Sequence, residues 1–240
     1  ASGATPLAFT LALTLSEVDE VWLAEFSAAL AEAASEYAVV LVGGDTTRGP
    51  LCMSIQVMGS APSGQALLRN GAQVGDIVFV SGNVGDANAA LAFLDTQSSD
   101  LQPYQRELLT RYHTPAPRLA LGQKLRNLAT AAIDISDGLV ADLGHILKAS
   151  GVAAVLRLQD LPLSAALIKH GGAIDSALSG GDDYELCFTV PASRRADVEV
   201  LSASLNLALT EVGYIEAGSG LRCYDAQQNL YSPRGGYQHF

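Results

Sequence analysis

Short apolar runs that meet a glycine and an aspartate constrain this chain more than any other feature. Residues 39–42 feed Gly43-Gly44-Asp45-Thr46-Thr47-Arg48, and residues 131–133 feed Asp134-Ile135-Ser136-Asp137-Gly138. In the opposite order, Ser179-Gly180-Gly181-Asp182-Asp183-Tyr184-Glu185 leads into apolar residues 186–190. Such runs are short for helices and rich in strand-forming residues. Helical spacing lies elsewhere, as in Val18, Val21, Trp22, Phe26, Ala29, Leu30 and Ala33 behind a Ser16 N-cap with Asp19 at the box position. Strands alternating with helices predict an α/β (α+β) chain with mixed sheets covered by helices.

Further strands are expected over residues 53–58, 77–80, 152–158, 185–190 and 211–215. Helices are expected up to residue 94 after a Gly82–Gly85 turn, and over 105–111, 118–128, 139–149, 165–169 and 193–205. The turn-rich Ala61-Pro62-Ser63-Gly64 marks a boundary between residues 1–63 and residues 64–240.

Bulk numbers narrow the chemistry. Hydrophobic residues make up 49% and charged residues 16%, which excludes disorder. The formal net charge of −11 argues against nucleic acid as a partner. Acidic residues that hold divalent cations would still accept a polyphosphate, because metal inverts the local field. No run is long enough to span a bilayer, and the start lacks the pattern of a secretory signal. The three cysteines, Cys52, Cys187 and Cys223, form no C-x-x-C pair and fit a reducing cytoplasm. Cys52 and Cys187 lie in apolar runs and read as packed small hydrophobes.

Familiar phosphate and nucleophile motifs are missing. No P-loop occurs, the Gly82–Gly85 spacing is wrong for a dinucleotide fingerprint, and G-x-S-x-G is absent. His113, His145, His170 and His239 are scattered and read as structural. What remains is oxygen chemistry. Asp45 follows glycines that let a ligand approach the backbone, with the Thr46 and Thr47 hydroxyls and Arg48 beside it. A tight turn with an Asx hydrogen bond explains Asp45 equally well. Asp134 and Asp137 flank Ser136; helix capping explains one of them, and two carboxylates this close repel unless a cation is shared. Asp182-Asp183-Tyr184-Glu185 carries more acid than a turn requires. Arg69, before Asn70-Gly71-Ala72, would fork onto a phosphate or remain a solvated surface arginine. Hard oxygen ligands of this kind suit Mg²⁺.

Taken together, Val42-Gly43-Gly44-Asp45-Thr46-Thr47-Arg48-Gly49-Pro50, Ile133-Asp134-Ile135-Ser136-Asp137-Gly138-Leu139 with Asp142-Leu143-Gly144-His145-Ile146, Leu178-Ser179-Gly180-Gly181-Asp182-Asp183-Tyr184-Glu185-Leu186, Arg69-Asn70-Gly71-Ala72 and Gly236-Tyr237-Gln238-His239-Phe240 resemble the thiamine-monophosphate kinase family. That family shares a superfamily with aminoimidazole ribonucleotide synthetase and selenophosphate synthetase. The resemblance implies two α/β domains, ATP as co-substrate, Mg²⁺, and phosphorylation of thiamine monophosphate to thiamine diphosphate in the cytoplasm by a homodimer. It implies Asp45, Asp134 and Asp137 as magnesium ligands, and Gly44, Asp45, Arg69 and Ser136 as ATP contacts. Asp182, Asp183 and Tyr237 become substrate contacts, and no side chain is needed as acid or base. Relative to the family, an N-terminal segment with a Gly-Asp-Asp turn, an acidic strand and a histidine is missing. The first domain is therefore expected to be truncated, opening at the end of a family helix, and catalysis by these residues alone to be impaired. The rival expectations are another enzyme of the superfamily, a magnesium-dependent phosphohydrolase, or a non-catalytic nucleotide-binding module.

Overall fold

The computed structural model describes residues 1–233 and 235. The chain divides into two compact units, one of Ala4–Gly64 and one of Ala1–Gly3 with Gln65–Phe240.

The smaller unit is a three-stranded sheet with one helix. β1 (Thr5–Leu15) is followed by α1 (Glu20–Glu36), β2 (Val40–Arg48) and β3 (Cys52–Ser60), in the sheet order β2-β1-β3. β1 runs parallel to β2 and antiparallel to β3. The opening residues are therefore not the end of a helix: residues 1–4 belong to no regular element and β1 begins at Thr5. Phe9, Leu11, Leu13 and Leu15 alternate with Thr10, Ala12 and Thr14, and pairing on both edges favours the extended chain. The cap of α1 also differs from expectation. Asp19, not Ser16, accepts from the Val21 and Trp22 N–H groups at 2.9 and 3.1 Å.

An apolar groove of about 680 Å³ runs between the sheet and α1, lined by Phe9, Leu13, Phe26, Leu30 and Leu41 among others. Met53, Ile55 and Val57 of β3 are exposed. Cys52 is exposed as well, so its reading as a packed residue does not hold.

In the larger unit the elements are β4 (Asp76–Ser81), α2 (Asp86–Ala90), α3 (Pro103–His113), α4 (Leu119–Leu125), β5 (Ala131–Asp134), α5 (Leu139–Ser150) and β6 (Ala153–Arg157). They continue with α6 (Ala165–His170), α7 (Ala173–Ser179), β7 (Leu186–Pro191), α8 (Arg195–Leu205), β8 (Leu209–Glu216), β9 (Gly220–Tyr224) and β10 (Leu230–Tyr231). The sheet order is β10-β9-β6-β8-β4-β7-β5. Every neighbouring pair is antiparallel except β6 with β9, so the sheet is mixed.

Both faces of this sheet are covered, which explains why β4 is buried along its whole length and apolar from Ile77 to Val80. Val78 and Val80 pack with Leu139, Leu143 and Ile146 of α5 and Leu178 of α7. Ile77 and Phe79 face the other way, onto Leu121 and Leu125 of α4 and Val198 and Leu201 of α8. The Phe79 and Phe188 rings stack at 5.6 Å across β4 and β7. Cys187 and Cys223 are buried among these side chains, and burial pushes their thiols up to about 12 and about 11. Neither is a nucleophile at neutral pH.

Candidate metal and phosphate site

The ends of β5 and β7 bring together the acids that the sequence singles out. Beyond the β5–β7 ladder the backbone stays zipped. Ile135 N–H donates to the Glu185 carbonyl and Tyr184 N–H to the Ile135 carbonyl, both at 2.8 Å, and Asp182 N–H donates to the Ser136 carbonyl at 3.0 Å. Glycine makes this approach possible. A Cβ on Gly181 would lie 2.4 Å from the Ser136 carbonyl oxygen, and one on Gly138 would lie 2.9 Å from the Ser179 backbone. Asp134, Ser136, Asp137 and Asp182 are thereby fixed on one rim, each half-buried and within reach of solvent. Tyr184 stands among them. It is exposed, its hydroxyl donates to Asp182 Oδ1 at 3.2 Å, and burial, Asp182, Asp134 and Asp137 all raise its pKa.

The same turn is strained. Asp182 and Tyr184 have φ of 68° and 52°, and left-handed backbone costs about 1–3 kcal/mol at each such residue. What holds the strain lies beneath. Glu185, 1% exposed, accepts from Ser81 Oγ at 2.5 Å, from Arg111 at 2.8 Å and from both Nε and a terminal nitrogen of Arg118. Gly82 leaves room for it, since a Cβ there would come within 2.1 Å of Glu185 Oε1.

Asp183 is not available to a substrate, contrary to the expectation from sequence. It is 4% exposed and turned inward, where it accepts from Gly85 N–H at 2.7 Å and Ala87 N–H at 3.4 Å at the start of α2. Burial raises its pKa to about 7, against the pull of those N–H groups. The folded state thus favours the protonated form. The stability this group contributes is complete below about pH 4, falls as pH rises, and is gone above about 7. Asp183→Asn keeps an oxygen for Gly85 and removes the titration. Its stability relative to the parent protein is expected to rise between those limits, by at most about 1.4 kcal/mol per pH unit. Urea midpoints below and above neutrality check this; a difference that does not change with pH counts against it.

Asp142 is a buried carboxylate beside these residues that the sequence reading left without a role. It is 2% exposed, and its Oδ2 accepts from Ser136 N–H at 2.9 Å and Asp137 N–H at 3.0 Å. Burial raises its pKa, the two N–H bonds lower it, and the charges of Asp137 and Asp134 raise it again. Its spacing from Asp137 carried the signal, since an acid five residues on reaches back over a helix start. Arg111 and Arg118 carried none, because their partner Glu185 is 74 and 67 residues away.

The rim suits Mg²⁺ in the way that ion is bound beside phosphates: one or two carboxylates from the protein, with the remaining positions taken by water and phosphate oxygens. Asp134 and Asp137 could supply the carboxylates and Ser136 a hydroxyl. Among the described residues neither carboxylate forms an ion pair or a side-chain hydrogen bond. No group of three or more His, Cys, Asp or Glu forms a ready-made metal cage among them. Arg69 belongs to the same unit. It is exposed, with its neighbour Leu68 accepting from Ala132 N–H of β5 at 2.9 Å, and its own carbonyl accepting from Ser150 Oγ at 3.4 Å.

Asp45 lies in the smaller unit, and within a strand rather than a turn. β2 continues through Gly43-Gly44-Asp45 to Arg48, with Asp45 opposite Ala12 on a face shared with Thr10 and Thr14. Asp45 is exposed, and its Oδ1 accepts from Thr46 N–H at 2.9 Å. Gly44 is required by the sheet. A Cβ there would sit 1.8 Å from the Leu11 carbonyl oxygen, whereas Gly43 meets nothing within 4 Å and stays open. Tyr237 lies outside the described residues.

Profiles of two families match the chain: AIR synthase related protein, N-terminal domain, over residues 1–61, and AIR synthase related protein, C-terminal domain, over residues 73–226. The thiamine-monophosphate kinase of Salmonella typhimurium (strain LT2) is 45% identical over 245 residues, which cover 100% of this chain and 75% of that protein. The crystal structure of thiamine-monophosphate kinase from Stenotrophomonas maltophilia K279a superposes with a TM-score of 0.89 at 45% identity, covering 93% of this chain and 73% of that one. A structure described as AaThiL complexed with AMPPCP and TMP superposes with a TM-score of 0.87 at 32% identity, covering 100% of this chain and 75% of that one.

Proposed function

The chain belongs to the thiamine-monophosphate kinase family within the AIR synthase related proteins, and on that premise we propose how its residues carry out the family's reaction. The protein is a kinase that transfers a phosphoryl group from ATP to thiamine monophosphate, giving thiamine diphosphate and ADP. In our reading the transfer is direct and in line. The observation that supports it is the zipped β5–β7 rim, which gathers Asp134, Ser136, Asp137 and Asp182 with no histidine or cysteine among them.

Two anions must meet, so the main obstacle is charge, and such transfers ask for positioning and neutralisation rather than covalent chemistry. Asp134 and Asp137 would hold magnesium, with Asp45 as a further ligand. Magnesium there would supply the positive charge that the phosphates need. Gly44, Asp45, Arg69 and Ser136 contact ATP in this reading, and Asp182 contacts thiamine monophosphate. Tyr237 stays a proposed substrate contact from the resemblance alone. The acceptor phosphate, with a second pKa of about 6, is ionised at neutral pH and needs no general base.

Self-association belongs to the same reading. β3 is an edge strand whose apolar Met53, Ile55 and Val57 are exposed. A single-chain mass by light scattering at every concentration tested would remove that part. No helix among the described residues is long and apolar enough to cross a membrane.

The test is to supply ATP, magnesium and thiamine monophosphate, and to follow products by chromatography. Thiamine diphosphate and ADP in equal amounts, with no label trapped on the protein, is the expected result. Free phosphate without thiamine diphosphate, or a labelled phospho-enzyme, would overturn it.

A further inference from the structure

Between β5 and α5, the Ser136 peptide is gripped from both sides. Its N–H donates to Asp142 Oδ2 at 2.9 Å, and its carbonyl accepts from Asp182 N–H at 3.0 Å. The next peptide is held by the same Asp142 oxygen, which accepts from Asp137 N–H at 3.0 Å. Both N–H groups and the Ser136 carbonyl are thereby tied inward, which leaves the Ser136 and Asp137 side chains facing the rim.

An acid in the first turn of a helix is commonly explained by the helix dipole. That explanation does not fit the direction of this one. Asp142 lies in the first turn of α5, yet its oxygen reaches back to residues 136 and 137, ahead of the helix, and not to the free N–H groups of α5 itself. Gly138, at the N-cap, makes no side-chain cap bond. Placing a carboxylate here also carries an electrostatic cost, since Asp134 and Asp137 are close enough to repel it. A residue selected for helix stability alone gains little from that position.

We propose that Asp142 is a positioning residue for magnesium-nucleotide binding, acting through one acceptor oxygen that turns the Ser136 and Asp137 side chains outward. The inference rests on the reading that Ser136 and Asp137 face ATP and its magnesium. The required feature is the oxygen, not the charge. Outer groups that orient ligands in this way typically change metal affinity by about 10–100-fold when removed.

Two variants separate oxygen from charge. Asp142→Asn retains an acceptor at the same place and drops the charge, whereas Asp142→Leu removes both. The probe is the magnesium complex of AMPPCP, titrated calorimetrically into the full chain, with thermal melting run in parallel. Asp142→Leu is expected to weaken binding by about tenfold or more, and Asp142→Asn by less than about threefold. Steady-state KM for thiamine monophosphate should stay the same in both. Nucleotide affinity unchanged in a folded Asp142→Leu, with only its melting temperature lowered, would overturn the proposal and make the residue purely structural. If Asp142→Leu does not fold, Asp142→Asn decides. A tenfold loss there overturns the role of the oxygen, and retention supports it. Asp137→Asn serves as the control for the underlying reading. If it leaves Mg–AMPPCP binding intact, Ser136 and Asp137 do not face the nucleotide, and that failure is distinct from one at Asp142.

Discussion

Asp137→Asn lowers turnover by on the order of 10²–10³, the scale seen when one preorganised electrostatic contact to a transition state is removed, and leaves the fold intact. The Asp137 carboxylate takes part in no ion pair or side-chain hydrogen bond among the described residues, so no packing or bonding is lost with its charge. Its backbone N–H, held by Asp142, is unaffected. Stability should even rise slightly, within about 0.5 kcal/mol, because a charge that repels Asp142 is gone. Lower activity with equal or higher stability is the mark of a residue kept for function. Asp45→Asn should behave in the same way, since an amide oxygen can still accept from Thr46 N–H. Rates at saturating and limiting magnesium, with thermal melting in metal-free buffer, measure both halves. Full activity of either variant at limiting magnesium would sink its assignment as a ligand.

How much of this was readable in advance depended on the range of the interaction. β5, α5, β7 and the bends at Asp134–Asp137 and Asp182 were legible, because period, glycine and local acid spacing are all encoded within a few residues. The mixed sheet followed from the same alternation. β1 is not legible in the sequence because it is fixed by partners at both edges, β2 and β3, and an alternating Leu/Ala/Thr stretch carries little preference of its own. β2 was ended too early for a related reason. Gly43-Gly44 looks like a stop, yet Gly44 is required in mid-strand where Leu11 crosses close. The roles of Asp183 and Glu185 could not be told apart by inspection. Successive side chains near a strand end point to opposite sides, so Asp182 and Tyr184 face outward while Asp183 and Glu185 are buried. That alternation was present in the string of acids, but which phase faces the solvent is set by β4, α3 and α4, far away in sequence.

Glu185→Ala should be among the most destabilising single changes in the larger unit, at about 3 kcal/mol. Removing one partner from a buried ionic cluster leaves the others with their desolvation uncompensated. Here two guanidinium groups and the Ser81 hydroxyl lose their acceptor together. Arg111 and Arg118 keep 25% and 18% of their side-chain surface in water, which softens the loss and places it at the low end for buried pairs. For a chain of this length the melting point should fall by about 6–12 °C. The site should suffer beyond the loss of stability. Glu185 anchors the turn in which Asp182 and Tyr184 hold left-handed backbone, and without the anchor that strain relaxes. KM for thiamine monophosphate should therefore rise. A control separates lost attraction from uncompensated charge: in Arg111→Leu/Arg118→Leu/Glu185→Leu nothing charged is left buried, and much of the stability should return. A melting point for Glu185→Ala within about 2 °C of the parent protein would show that solvent, not Glu185, satisfies these arginines. The turn at Asp182–Tyr184 would then need another source of support.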